Sequence, residues 1–550
     1  MPDIRFNMHI DVYKIGLMAF ETARQSSLLR CMIITSSSIT AAIIIIIATS
    51  LFQSWLHHSY FTAIASIADI GSIIRLLLFV ILTTIITSWA YLFVVSIRSH
   101  LLTPTITQKK QDQSSNDCYS VFKPVTKLKQ FDNNGDHNST KVVTFPFVSV
   151  IIPARDEQDH IGNCLLSLLS QNYPNFEIIA IDDNSADNTL NIMKYIQSIE
   201  EEEESKSNVT GRGRLKIVSI DKKPDKWTGK TWASQQGYLQ SHGEILLFTD
   251  ADAYFASKDT ISLAVFRMQK ENLDILTGVP WLRLHDFWSQ VVMPIWMLFS
   301  EVFDTGMADL NNPKSSVAYV MGSFFMIKRD VFKALGTYES VSHAIQEDAA
   351  MGALIKKLGY HLKIFKIDDI VWALFSRDLA TLWHGIRRTL APVAMKSKFR
   401  LLAHLFLLSF MALLPFVLLP YTLLPLTVGS ADDNNSNNFV EYSFPFLVQT
   451  IMTTHYSLTF SFEEIATAAA MLLPFLNVIC CFVIIIASGV KAMKKYHSRL
   501  PIYCMLAPVG AAFLAVAYSY HIVSLLRTQV KSVAWRGRTY IYKKDKLVTK

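Results

Sequence analysis

Glu244-Ile245-Leu246-Leu247-Phe248-Thr249-Asp250-Ala251-Asp252 sets a short apolar run directly against two acids. A run of that length with polar flanks suits a buried strand, and the chain on either side repeats the pattern. Residues 147–154, 176–183 and 215–221 are further short apolar runs that end in, or just before, acids. Between them, residues 161–169 and 189–199 carry apolar positions at helical spacing. Strands alternating with helices predict an α/β domain built on a parallel or mixed sheet. In open sheets of this kind ligands bind beyond the carboxyl ends of the strands, which is where these acids fall. The run Glu200 to Glu204 and the Ser/Asn/Gly stretch after it read as a solvated surface insertion.

Four acidic clusters stand at or near the expected strand ends: Asp156-Glu157, Asp182-Asp183, Asp250-Ala251-Asp252 and Glu347-Asp348. In the third, two carboxylates at i and i+2 in an extended turn can address one hard divalent cation and the phosphates it bridges. Mg²⁺ or Mn²⁺ accepts such oxygen ligands while keeping waters and phosphate oxygens. A solitary Asp-x-Asp is commonplace in surface turns; following an apolar strand, in order with three other acidic clusters, it points to phosphate chemistry.

The order of motifs resembles the inverting family 2 glycosyltransferases. The resemblance rests on Val148-Ser149-Val150-Ile151-Ile152-Pro153-Ala154-Arg155-Asp156-Glu157, then Ile181-Asp182-Asp183-Asn184-Ser185-Ala186-Asp187, then Asp250-Ala251-Asp252 and Gln346-Glu347-Asp348. It covers roughly residues 147–390. Lys226-Trp227-Thr228-Gly229-Lys230-Thr231-Trp232-Ala233 and the terminal Trp535-Arg536-Gly537-Arg538-Thr539-Tyr540 narrow it. They are similar to membrane glycosyltransferases of the hopanoid pathway and of bacterial carotenoid glucosylation, and more distantly to ceramide glucosyltransferase.

That resemblance implies a GT-A-like fold, a nucleotide-diphosphate sugar donor with a UDP-sugar favoured, a divalent metal and a lipid acceptor. Pro153, Asp156 and Glu157 would lie beneath the nucleotide, and Asp183 would hydrogen-bond the uracil or ribose. Asp250 would touch the ribose or the metal, Asp252 would ligate the metal, and Lys230 would neutralise phosphate. Asp348 is the expected general base, with Glu347 facing elsewhere or orienting the acceptor. Processive synthases of the family carry Gln-x-x-Arg-Trp after the base. The nearest stretch here is Thr381-Leu382-Trp383-His384-Gly385-Ile386-Arg387-Arg388. Arg387 or Arg388 would then clamp the diphosphate and Trp383 would shape the acceptor site. This departure weighs against the alternative of a processive polysaccharide synthase coupled to export.

Hydrophobic residues make up 51% of the 550, and mean hydropathy is +0.27. The apolarity is concentrated in 31–52, 76–97, 405–428, 465–490 and 501–520, which hold no Asp, Glu, Lys or Arg. Each is as long as the roughly 20 residues a membrane-crossing helix needs. A transporter would place charges along a substrate path inside such runs, and these have none. The first run is longer, and lies further from the terminus, than a secretory signal core. The six cysteines lack zinc-ligand or disulfide-framework spacing.

The net charge of +7 gathers beside the apolar runs, which argues for anionic lipid heads rather than nucleic acid. Segments 53–71 and 428–464 carry no Lys or Arg, whereas Arg98, Lys109, Lys110, Lys396, Lys398 and Arg400 flank the long middle segment. Basic residues stay inside, so residues 98–400 are expected to be cytoplasmic in a multi-pass cell-membrane protein. The tail 527–550 holds eight basic residues against one acid, yet five crossings would leave it outside. Either one run is re-entrant or interfacial, the preferred reading, or the weaker stretch 439–462 also crosses. Segment 285–303, apolar and Trp-bearing with an internal Pro, reads as a helix lying in the interface. The expected division is 1–103 with two membrane helices, a polar linker 104–146, the catalytic domain 147–400, membrane helices in 401–526 and the basic tail.

Overall fold

A computed structural model describes residues 145–207, 213–284, 286–303, 307–315, 317–344, 346–396, 398–414, 426–429, 439–442, 506–527, 531–535, 538–543 and 546–548, with isolated positions between 81 and 106 and at 417, 479 and 503. All belong to the unit Phe79–Lys550.

The chain enters through β1 (Val148–Ala154), α1 (Ile161–Leu169), β2 (Phe176–Asp182), α2 (Thr189–Ser207) and β3 (Leu215–Ser219). It continues through α3 (Gly229–Leu239), β4 (Ile245–Phe248), β5 (Ala253–Phe255), α4 (Thr260–Lys270), β6 (Ile275–Val279) and β7 (Trp281–Leu284). After α5 (Phe287–Phe303) come β8 (Phe325–Lys328), α6 (Arg329–Ala334), α7 (Glu347–Lys357), β9 (Leu362–Lys366) and β10 (Val371–Ser376). The main sheet has the order β3-β2-β1-β4-β8-β6-β9. Its first four strands are parallel, and β8 runs against both β4 and β6. This is a mixed α/β sheet, as the alternation of strands and helices predicts. A smaller sheet, β5-β10-β7, lies beside it.

β1 is near the middle of the sheet and buried along almost its whole length, so it reads as a continuous apolar run rather than an alternating one. Its side chains divide between two cores. Val148, Val150 and Ile152 pack with α1 and α4, through Leu165, Leu168, Ala264 and Met268. Ile151 faces the other way, toward Ala233 and Tyr238 of α3 and Met351 and Ile355 of α7. α3 lies very close to the strands: a Cβ at Gly237 would come within 2.5 Å of Ile151 and 2.6 Å of Ile181.

A third core is helical. It joins α5 to α8 (Leu379–Lys396), α9 (Lys398–Leu408) and α10 (Ala507–Arg527) through Val292, Phe299, Leu382, Ile386, Leu401 and Leu514. α5, expected to lie in the interface, therefore packs one face on α10 and α8. Trp383, expected to shape the acceptor site, meets Phe513 and Tyr520 of α10, with ring centroids 5.5 and 6.0 Å away.

Several boundaries differ from the sequence reading. β3 ends at Ser219 rather than 221. The Glu200 to Glu204 run belongs to α2, which continues to Ser207, and the Glu200 carboxylate accepts the backbone N–H groups of Arg214 and Leu215. The acidic run is thus in part a cap for the start of β3. The expected linker begins as structure, since residues 104–106 run beside β9, with Ile106 buried. The run 405–428 ends in β11 (Leu426–Gly429), paired antiparallel with β12 (Phe439–Tyr442). Of the other apolar runs, 31–52 lies outside the described residues, as does nearly all of 76–97 and 465–490. Among the described residues no helix is long and apolar enough to cross a membrane.

Candidate active site

Thr249 follows the last residue of β4 and is fixed twice: its N–H donates to Ile151 O, and its hydroxyl to Ser323 O at 2.8 Å. This holds Asp250 at the carboxyl edge of the sheet. From the other side, α3 presents Lys230 in its first turn. Its N-cap Thr228 accepts the Thr231 N–H, and Thr228 N–H and Thr231 Oγ1 both donate to Ser342 O at 2.9 Å. Lys230 Nζ then lies 2.6 Å from Asp250 Oδ1 and 2.9 Å from Glu347 Oε1.

A Cβ on Gly322 would come within 2.8 Å of that ammonium and 3.3 Å of Asp250 Oδ2. A side chain at position 322 would therefore have to push the Lys230 ammonium out of its place in the ion pair. Burial alone would lower the Lys230 pKa, but Asp250 and then Glu347 hold it well above its ordinary value.

Glu347 and Asp348 open α7, where the helix dipole favours negative charge. Glu347 is 5% exposed and committed to Lys230. Asp348 is half-buried; it takes its own N-terminal anchor from Ala349 N–H at 2.8 Å, while its carbonyl accepts Val320 N–H. Burial, and next the charge of Glu347, push its carboxyl up to about 6, with Lys230 and Arg388 pulling the other way. A single pocket wall carries Pro153, Lys230, Gly322, Tyr338, Glu347 and Asp348. A carboxylate whose pKa is pushed up to about 6 beside a fixed cation suits proton transfer next to a developing anion.

The arginine pair of α8 divides, because neighbouring helix residues point about 100° apart. Arg388 is on the Asp348 side. Arg387 turns to α10, where its guanidinium lies 4.3 Å over the Tyr520 ring and donates to the Tyr520 hydroxyl at 3.0 Å. Of the two arginines expected to clamp the diphosphate, Arg387 is thus held against α10 and Arg388 is the one near Asp348.

The other end of the cleft follows β1 and β2. Asp156 adopts φ 53°, a left-handed conformation that Asp tolerates better than most residues. Its Oδ1 accepts Ala186 N–H and its own N–H donates to Ser185 Oγ, so it ties the two strand-end loops together. Glu157 receives Arg377 Nη2 at 2.5 Å and donates its N–H to Thr189 Oγ1. Asp183 is 3% exposed, and both of its carboxylate oxygens take the Arg538 guanidinium, at 2.5 and 3.0 Å. Arg155 Nη1 donates to Asp183 O at 2.6 Å. Burial raises the Asp183 carboxyl, against the pull of Arg538 and then Arg155.

Among the described residues no three His, Cys, Asp or Glu side chains are placed to hold a metal by themselves. The donors nevertheless fit a cation that takes few protein ligands. Asp252 and Asp250 provide only hard oxygens, and with Glu157 they set up a negative field around the buried Cys164. Burial first, and then those three carboxylates in the order Asp252, Asp250, Glu157, push that thiol well above its ordinary range. Asp250 is engaged by Lys230, and Asp250 and Asp252 together would offer a divalent cation hard carboxylate oxygens, as Mg²⁺ or Mn²⁺ sites that also take phosphate oxygens and water require.

Sequence reasoning missed Gly322, Arg377 and any site role for Arg538. The last stands in the terminal string already singled out, and the other two have no local signature.

Residues 149–336 match the family model described as glycosyl transferase family 2. A 4,4'-diaponeurosporenoate glycosyltransferase of Staphylococcus aureus strain bovine RF122 / ET3-1 is 22% identical over 289 residues, 52% of this chain and 69% of that protein. The same enzyme from strain N315 is 22% identical over 263 residues, 46% of this chain and 64% of the relative, under two thirds of its length. A weaker likeness, at 15% identity and a TM-score of 0.39, extends over 73% of this chain and 98% of a Pyrobaculum calidifontis mannosyltransferase solved with GDP-Man and Mn²⁺. With the acidic clusters gathered at the carboxyl edge of a mixed sheet, the stretch 149–336 is a glycosyl transferase family 2 domain, the catalytic unit of an enzyme of that family.

Proposed function

We propose that this enzyme transfers a sugar, with inversion, from a nucleoside diphosphate to a lipid acceptor at a membrane surface. The observation that carries the reading is Asp348, a carboxylate on the pocket wall whose pKa is pushed up to about 6. There it is basic enough to take a proton and is largely ionised at neutral pH. It removes the acceptor's O–H proton as that oxygen attacks the anomeric carbon. The bond from that carbon to the phosphate oxygen breaks, and its electron pair leaves with the nucleoside diphosphate. One displacement inverts the centre.

Lys230 keeps a positive charge in the pocket throughout, held by Asp250 and Glu347. Asp252, with Asp250 beside it, would hold Mg²⁺ or Mn²⁺, and that ion supplies charge neutralisation on the departing diphosphate. Asp183 would meet the nucleoside, with a uridine donor favoured by family resemblance. The lipid acceptor is supported by the apolar runs of the sequence and by relatives named for a carotenoid acid. It is also supported by α5 and α10, which attach the catalytic domain to a strongly apolar part of the chain.

The test is to incubate membranes containing the full chain with a panel of radiolabelled sugar nucleotides and to separate lipid extract from polymer. Label is expected in the lipid extract together with released nucleoside diphosphate. Label only in water-soluble polymer would remove the lipid acceptor, and no transfer from any donor would remove the activity.

A further inference from the structure

Asp183 is the residue that the reading above assigns to the nucleoside, yet both of its carboxylate oxygens are taken by a group from the far end of the chain. Arg538 is the first residue of β14 (Arg538–Lys543), which pairs antiparallel with β13 (Lys531–Trp535) and with β15 (Lys546–Val548). The register sets Arg538 opposite Trp535, so the arginine stands at the head of the hairpin. The other guanidinium near Asp183 is occupied differently: Arg155 donates to the Asp183 backbone carbonyl and lies 3.8 Å from the Asp156 carboxylate.

A planar guanidinium recognises carboxylate and phosphate through the same two-pronged geometry. A nucleoside hydrogen-bonding Asp183 must share or displace one prong of Arg538, and the donor brings a diphosphate into the same cleft as an alternative anion. We propose that Arg538 is a donor-binding residue, delivered to the nucleotide subsite by the C-terminal hairpin and paired with Asp183 until a nucleoside diphosphate arrives. This rests on the assignment of Asp183 to the nucleoside. If the pair were only an anchor for the hairpin, its loss would alter stability and leave nucleotide affinity alone.

The test uses full-length protein in detergent, with UDP and GDP binding followed by calorimetry and transfer kinetics measured against donor concentration. Arg538→Ala should raise the dissociation constant of the better nucleotide, and the donor KM, by about tenfold or more, while kcat at saturating donor stays within about threefold. Arg538→Lys keeps the charge but loses the fork, so it should fall between the two and unfold cooperatively like the wild type. If Arg538→Ala does not fold, Arg538→Lys alone decides, with a loss of at least about threefold expected. Wild-type nucleotide affinity in either folded variant, or a drop in kcat with an unchanged KM, would overturn the proposal. Wild-type protein that binds neither UDP nor GDP would instead overturn the assignment of Asp183, and the proposal with it.

Discussion

Opposed influences meet at Asp348: burial and the neighbouring Glu347 charge push its pKa up, while the cations Lys230 and Arg388 and the Ala349 N–H pull it down. The upward ones win, to about 6 against an ordinary 3.8, and two pH effects of definite sign follow. A base must be ionised to accept a proton, so kcat should climb as pH rises through about 6 and level off above it. Ionising a carboxylate whose folded pKa is raised costs the folded state. The cost is absent below 3.8, grows between the two values, and is complete above about 6. Asp348→Asn should therefore lower kcat by roughly 10²–10⁴-fold, abolish the acid limb and leave donor KM nearly unchanged. The same variant should unfold at a slightly higher temperature than wild type at pH 7, and with no advantage near pH 4. If Asp348→Asn keeps its turnover and loses donor binding, the base is elsewhere. The metal is tested at Asp252: Asp252→Asn, or excess EDTA on the wild type, should abolish transfer without changing the thermal midpoint at pH 7 by more than a degree or two. Full turnover in EDTA would remove the cation from the mechanism.

At the scale of elements, the position of Lys230 depends on how closely α3 lies on the sheet. Gly237 permits that approach, since a methyl group there would sit within 2.6 Å of both Ile151 and Ile181. Overpacking of this kind typically costs about 1–3 kcal/mol, so Gly237→Ala should lower the unfolding midpoint by several degrees and weaken transfer as Lys230 shifts. A calorimetric scan showing an unchanged midpoint would mean that α3 can slide at no cost. The strands were legible because β1, β2 and β4 are buried on both faces and so appear as unbroken apolar runs. The end of α2 was not, because Glu is a good helix former and a charged run does not by itself mark a loop. The arginines were hardest. Arg377 reaches Glu157 across 220 residues and Arg538 reaches Asp183 across 355; only tertiary packing creates those pairs, and neither leaves a spacing pattern. Arg387 and Arg388 looked equivalent in sequence, and the rotation of a helix separated them.

For the whole molecule, the helical core of α5, α8, α9 and α10 links the catalytic domain to the apolar run 501–520, most of which lies in α10. A lipid acceptor makes sense only if that link holds the cleft at the membrane, with the catalytic domain on the side where sugar nucleotides are made. The disposition of charge provides the test. Segment 428–464 has no Lys or Arg, while 98–400 is flanked by them on both sides, and basic residues are retained inside. A cysteine placed at Asn435 should therefore react with an impermeant thiol reagent from outside intact cells, above the background of the six native cysteines. A cysteine at Ser207, the last residue of α2, should react only after the cells are opened. The sequon Asn434-Asn435-Ser436 should accept glycan where that machinery is present, and Asn138-Ser139-Thr140 and Asn208-Val209-Thr210 should stay bare. Labelling at Ser207 but not Asn435 would invert the protein and place the donor site on the wrong side of the membrane for a nucleotide sugar. Release of the chain into the supernatant by alkaline carbonate would go further, since it would show the apolar runs to be buried in protein rather than in lipid.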